Sequence, residues 1–364
     1  MKFTDIADRR IQSQHILQAD FTTAHDVVSW MGAMQAQDYP GALWSIGLRS
    51  QGLTQKDIEA AITNREIVRT WPMRGTLHFV AAEDIRWMLT LMTPQVISAT
   101  AARRRQLELD DATIANARSI IETALSGGKC LTRDDLCELL DSKGISPKGQ
   151  RGIHILLHLS EQGILCFGPH QGKKPTFVLL DEWIPKSRTI SRDESLHELA
   201  VRYFISHGPA SLKDFAGWGK LPLKDARLGI ELAHQDITKT AIGGIDYWHS
   251  PSLEAFDRHS AFLLPGFDEY MLGYKDRTPS LIAEHSSKIV PGGNGMFLST
   301  IVIDGQVVGT WKKNIRKNAI TLELLPFTPI TDDRIKRLEQ AATHFGRFME
   351  LPVTISSIHR HHSI

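Results

Sequence analysis

A six-residue helix-start signature occurs three times at almost equal spacing, and no other feature of the chain restricts its fold as much. Leu53-Thr54-Gln55-Lys56-Asp57-Ile58 returns as Leu131-Thr132-Arg133-Asp134-Asp135-Leu136 and as Ala210-Ser211-Leu212-Lys213-Asp214-Phe215. In each, a hydroxyl is placed to cap the backbone N–H three residues on, and the acid there can reach back to the capping residue. Thr54, Thr132 and Ser211 lie 78 and 79 residues apart. A single capping box is common, but three at near-equal intervals predict three related units.

The residues after each start give the units their character. After Thr132 the pattern predicts a helix to about Lys143, a break at Gly144–Pro147 and a second helix from about Lys148 to Gln162. Gly163–Phe167 and Thr176–Leu180 then read as two strands. Helix, turn, helix and hairpin is a winged-helix order. The third copy repeats it compactly: helices over 194–207, after Ser211 and over 224–232, then a hairpin over 237–248. The first copy is degenerate, with one helix before strands at Ile67–Thr70 and Thr76–Val80. From about Ser260 the texture changes. Asp304-Gly305 between two β-rich runs is a strong hairpin signal. A strand over 319–325 and a helix over 332–348, with Ile335, Leu338, Ala342 and Phe345 on one stripe, complete a small antiparallel barrel or sheet with a helix.

Composition excludes several classes. At roughly 150 residues per domain, 364 residues predict two to three domains. With 42% hydrophobic and 23% charged residues the chain is too apolar to be disordered. A net charge of +1 excludes a wholly basic coat for nucleic acid but not a local basic groove. No apolar run is long enough for a membrane span, and the charged start at Met1–Arg10 lacks a secretory core, which predicts a cytoplasmic protein. Cys130, Cys137 and Cys166 form neither a disulfide framework nor a zinc pair.

Four runs carry candidate chemistry. In Met34-Gln35-Ala36-Gln37-Asp38, placed at the C-terminal end of a helix bearing Val27, Trp30, Met31 and Met34, the two glutamines could converge on a water or a sugar phosphate. They could equally be solvated surface. In Arg69-Thr70-Trp71-Pro72-Met73-Arg74-Gly75-Thr76-Leu77-His78, basic residues surround an aromatic, which suits a phosphate backbone and an exposed base. The run also reads as an ordinary turn. In Leu264-Pro265-Gly266-Phe267-Asp268-Glu269-Tyr270, adjacent acids in a strand would face opposite sides, which makes a poor acid/base pair, although Asp268 could be a buried anchor or a site residue. Val290-Pro291-Gly292-Gly293-Asn294-Gly295 lacks the ending of a phosphate loop, so no nucleotide cofactor is expected. Lys312, Lys313, Arg316 and Lys317 cluster on or beside a hairpin loop. His359-Arg360-His361-His362 lacks companion ligands and reads as a frayed tail, so no metal is expected.

Together, in this order, these four runs resemble the AlkZ/YcaQ-like DNA glycosylases over residues 8–355, nearly the whole chain. The resemblance implies an α+β chain of three tandem winged-helix units followed by a small antiparallel β-barrel with a C-terminal helix, clamped on duplex DNA. It divides the chain into 1–92, 93–190, 191–258 and 259–364. It implies excision of N7- or N3-alkylated purines and, in some members, unhooking of interstrand crosslinks. Gln35-Ala36-Gln37 matches the double-Gln form of the family's catalytic signature. Asp38 lies one place beyond the acid of the Gln/Asp form and takes no role from it. The family's DNA-inserting hairpin corresponds to the basic loop at 312–318, and Arg69, Trp71, Arg74 and His78 are expected on DNA, with Asp268 and Tyr270 supporting the site.

The chemistry fits these residue types. A cationic alkylated purine is already a good leaving group, so two amides that orient a water suffice without a strong base. No lysine nucleophile is required, which predicts a monofunctional enzyme, without cofactor and monomeric, that leaves an abasic site. Full base flipping is dispensable for so weakly held a base. The alternative is a non-catalytic winged-helix transcription regulator, which would read a specific operator. A metal-dependent nuclease lacks a ligand cluster.

Overall fold

The computed structural model describes residues 2–252 and 259–358; the histidines at 359, 361 and 362 lie outside them. The chain forms two compact units, Met1–Ile58 with Leu196–Ile364, and Glu59–Ser195.

All three helix starts form as their sequences predict. Thr54, Thr132 and Ser211 each accept from the amide three residues on, at 3.2–3.3 Å, and each receives the returning carboxylate of Asp57, Asp135 or Asp214 at its own N–H, at 2.8–2.9 Å. They open the helices Gln55–Thr63, Arg133–Ser142 and Leu212–Gly219.

In the unit Glu59–Ser195 the strands pair in the order Thr76–Ala81, Ile67–Met73, Leu165–Phe167, Thr176–Leu179 and Leu131–Thr132. The hairpin after the first signature and the hairpin after the second are thus one continuous sheet. Arg74 and Gly75, both at positive φ, make the tight turn between the first two strands. The helices Asp111–Leu125, Arg133–Ser142 and Arg151–Glu161 pack on a core that includes Leu136, Leu156, Leu159, Phe167 and Phe177. In the other unit the same order of helix, helix, helix and hairpin recurs as Arg192–His207, Leu212–Gly219, Leu223–Leu232 and the strands Thr238–Ile242 and Ile245–His249. The first helix begins in the neighbouring unit, four residues before Leu196.

The C-terminal region departs from the expected barrel. Its strands run Val353–Ser357, Ala319–Pro326, Gln306–Arg316, Thr300–Ile303 and Ala261–Leu264, and among the described residues the two outer strands do not pair. Val353–Ser357 also joins parallel, not antiparallel. The helix Asp332–Met349 supplies the crossover that a parallel pair needs. That helix packs against both outer strands, so it stands where closure would require them to meet. The Asp304-Gly305 turn is as expected, with both residues at positive φ.

One close approach ties this region to the N-terminal helices. Gly47, in the helix Tyr39–Leu48, lies so near the Phe348 ring that a Cβ there would stand 2.5 Å from it. Trp44 of the same helix meets Phe345 and Phe348 at 5.1 Å and donates its indole N–H to the Leu263 carbonyl.

Candidate active site

The Gln35-Ala36-Gln37 run lies between two helices and belongs to neither. The helix Ala24–Met31 stops at Gly32, whose φ of 75° a side chain would resist. Met34 is therefore not on the helical stripe that its spacing suggested; Met34 and Gln35 are extended. After Asp38, Pro40 in the first turn starts the buried helix Tyr39–Leu48. The two glutamines differ. Gln37 is exposed, whereas Gln35 is half-buried and its Oε1 is fully buried with no hydrogen-bond partner among the described residues. A buried acceptor without a donor costs roughly 1–3 kcal/mol, so it must be offset or used.

Beneath the run sit Asp268 and Glu269. They are not in a strand: Asp268 caps the short helix Glu269–Leu272 by accepting from the Tyr270 amide, and both carboxylates are buried. Glu269 accepts the backbone N–H of Gln35 at 2.9 Å through Oε1 and the indole N–H of Trp218 at 3.0 Å through Oε2, with His207 Nε2 at 3.5 Å from the same Oε2. Asp268 accepts two bonds from Arg49 and one from Ser45, at 2.6–2.9 Å. Arg49 continues to Gln14 Oε1, Gln14 donates to the Tyr274 hydroxyl, and Tyr274 donates to the His207 carbonyl. Burial pushes the Tyr274 and Tyr270 phenols far above their ordinary value, so both are neutral donors. Tyr270 donates to the Gly305 carbonyl at 2.6 Å. Asp268 and Tyr270 thus anchor the floor of the site and do not line it. Residues 268 and 269 hold the two ends of the glutamine run: Glu269 grips Gln35, and Asp268 grips the helix that follows Asp38.

The family model for DNA glycosylase AlkZ-like proteins matches residues 28–348, nearly nine-tenths of the chain and all four signature runs. The chain belongs to the AlkZ-like DNA glycosylases. It is 27% identical to an interstrand DNA cross-link repair glycosylase of Streptomyces sahachiroi, over 95% of this chain and 97% of that protein. It superposes on the solved structure of the DNA glycosylase AlkZ from the same organism with a TM-score of 0.80, at 25% identity and over 98% and 99% of the two chains. This AlkZ-like chain is an enzyme of DNA repair that acts on N-glycosyl bonds.

The remaining site candidates of this AlkZ-like glycosylase divide into three kinds. Lys312, Arg316 and Lys317 are exposed at and beside the turn between Gln306–Arg316 and Ala319–Pro326, with Ile315 exposed among them. Lys313 is exposed along its stem but turns its ammonium back over the Phe345 ring, 5.4 Å from its centre. Desolvation there draws its pKa down, and the Asp38 carboxylate beside the glutamine run pulls it up. The structure therefore brings Lys313 toward the Gln35-Gln37 segment and leaves its three basic neighbours in solvent.

In the unit Glu59–Ser195, Arg74 NH2 lies 2.8 Å from His78 Nε2, and His78 Nδ1 lies 2.9 Å from the Thr76 carbonyl. A carbonyl only accepts and a guanidinium only donates, so His78 takes the Nδ1–H tautomer and orients Arg74. Arg69 is buried with its guanidinium over Phe167. Trp71 is 7% exposed and packs against the Phe167 and Phe177 pair in the core of this unit. It is a core residue, not a platform for a base; a sheet residue and a stacking residue look alike in sequence. Trp218 and His207 escaped the sequence reading, and Glu269 entered it only as one of two adjacent acids that make a poor acid/base pair. Among the described residues there is no cluster of side chains able to hold a metal ion, and no helix is long and apolar enough to cross a membrane.

Proposed function

We propose that this enzyme is a monofunctional glycosylase for N7- and N3-alkylated purines in duplex DNA, bulky and crosslinked adducts included, and that Gln35 and Gln37 place the attacking water. The observation that carries this reading is the buried, unpartnered Oε1 of Gln35 beside the exposed Gln37. An amide oxygen without a protein donor can accept a water O–H once DNA binding shifts the segment enough to admit one, since in the free protein its surface is closed to solvent.

In the reaction the glycosidic C1′–N bond breaks and its electron pair leaves with the purine, cancelling the positive charge that alkylation put there. A C1′–O bond forms to the water, whose second proton passes to solvent. The amides need only orient the water and offer their oxygens to the oxocarbenium-like sugar. No lysine amine is required, so an abasic site is the product.

The relative's name speaks of interstrand crosslinks, and the exposed Gln37 suits a base too bulky to enter a closed pocket. The exposed Lys312, Arg316 and Lys317 around Ile315 suit a hairpin that rides on phosphates and presses an apolar tip toward the bases. Arg74, set by His78, supplies a further cationic group, whereas the buried Arg69 stays over Phe167. Binding of this kind is sequence-tolerant and steep in salt.

The test is release of 7-methylguanine from duplex DNA, read by alkali cleavage of the abasic site, at single turnover with wild type, Gln35→Ala and Gln37→Ala. A fall of about 10²-fold or more in either variant is expected. No release from this or from an N3-adduct or crosslinked duplex would discard the reading.

A further inference from the structure

Glu269 sits below the glutamine run with its carboxylate fully buried, 1% of the residue exposed, and so touches no substrate. Three neighbours define what it does. Oε1 takes the Gln35 N–H, while Oε2 takes the Trp218 indole N–H and faces His207 Nε2. His207 is itself stacked on Tyr203, 4.8 Å between ring centres, and Tyr203 is tied to the Gly273 carbonyl. One carboxylate oxygen is thus fixed by a rigid aromatic set, and the other holds the backbone amide of Gln35. Gly32 turns the chain into this segment beside the Trp218 ring, at a φ of 75° that a side chain would resist.

We infer that Glu269 is the positioning residue of this glycosylase, and that it holds the Gln35 backbone so that the Gln35 side-chain amide is placed, with Gln37, to receive the attacking water when DNA binds. The exposed Gln37 then completes the site from the solvent side. This rests on the base-excision reading.

The test rests on counting donors. In Glu269→Gln one acceptor must serve both the Gln35 N–H and the Trp218 N–H, so one donor faces another. In single-turnover 7-methylguanine release at saturating enzyme, E269Q should fall about tenfold or more, with affinity for undamaged duplex within about twofold. The same substitution made in Gln35→Ala should change the residual rate by less than about twofold, because Glu269 acts through Gln35. Adding Trp218→Phe to E269Q removes the competing donor and should restore most of the rate. Equal losses in both backgrounds, or no loss in either, would overturn the inference. Should E269Q not fold, Glu269→Asp, which keeps the charge but withdraws the carboxylate from Gln35, carries the same comparison and criterion. A wild type that needs Gln35 but is indifferent to residue 269 overturns this inference and leaves the excision reading standing. A wild type that releases no base fails that reading instead. Hydrogen exchange at the Gln35 amide then still decides the grip, since it needs no substrate: E269Q should accelerate it, and unchanged exchange would overturn the inference.

Discussion

Two glutamates buried in different units show how little burial alone says about function. Glu269 is fed by a backbone amide and an indole and holds the segment that carries Gln35. Glu161, at the end of the helix Arg151–Glu161, is 2% exposed, yet neither of its oxygens has a hydrogen-bond partner among the described residues. His158 lies 4.0 Å away on the same helix face, and the Arg104 charge acts on both. Burial pushes Glu161 up to about 7 and pushes His158 down to about 4. The first acid has a donor on each of its oxygens; the second has none, and burial favours its neutral form. The count of donors, not the depth, separates a positioning group from a tolerated one.

The largest effect that would sharpen this contrast is on the floor of the first site. Asp268→Ala strands the buried Arg49 guanidinium and is expected to cost about 3–5 kcal/mol in chemical denaturation. A loss below about 1 kcal/mol would mean that the Arg49–Asp268 pair does not secure the helix after Asp38. Next comes Gln35→Ala, with its fall of about 10²-fold in base release and little change in melting temperature. A variant with wild-type rate would break the distinction between the two glutamates at its root, since nothing would then depend on what Glu269 holds.

The pH dependence probes the second glutamate. Glu161, raised from 4.5, contributes stability that is present below that value and is lost as pH climbs to about 7. His158, lowered from 6.5, contributes stability that is present above that value and is lost as pH falls to about 4. Between pH 4.5 and 6.5 the two trends oppose each other. Glu161→Gln should therefore expose a melting temperature that drops on acidification from 6.5 to 4, and His158→Gln one that drops as pH rises from 4.5 to 7. At pH 8 the Glu161→Gln protein should be the more stable by about 1–3 kcal/mol. Identical pH profiles for wild type and both variants would remove Glu161 from the comparison. The smallest effect expected is at the basic hairpin, where Lys312→Ala should lower the slope of log K against log salt by about one and weaken all duplexes alike.

The features legible in the sequence were mostly local. The capping pairs Thr54/Asp57, Thr132/Asp135 and Ser211/Asp214 sit three residues apart, and the Asp304-Gly305 turn carries its own φ requirement, so neighbouring residues announce them. The glutamine run was legible as a motif, but the acid that grips it lies 234 residues further along the chain, and no spacing joins them. Asp268 and Glu269 were misplaced because alternation was assumed where the chain instead starts a helix. The open sheet was missed for a similar reason: whether strands close depends on where Val353–Ser357 and the helix Asp332–Met349 come to rest, not on strand patterns. Trp71 shows the converse, an aromatic among arginines that the core claimed.

The missing methyl at Gly47 carries a consequence in time. The helix after the glutamines is seated on Phe348, and Gln35 is gripped by Glu269, so the motif near residue 35 is completed by parts synthesised 234 residues or more after it. A nascent or prematurely ended chain has its reactive amides long before it has the residues that aim them. A fragment ending before residue 260, which lacks both Glu269 and Phe348, should release no base; release by such a fragment would show that the glutamines need neither to aim them.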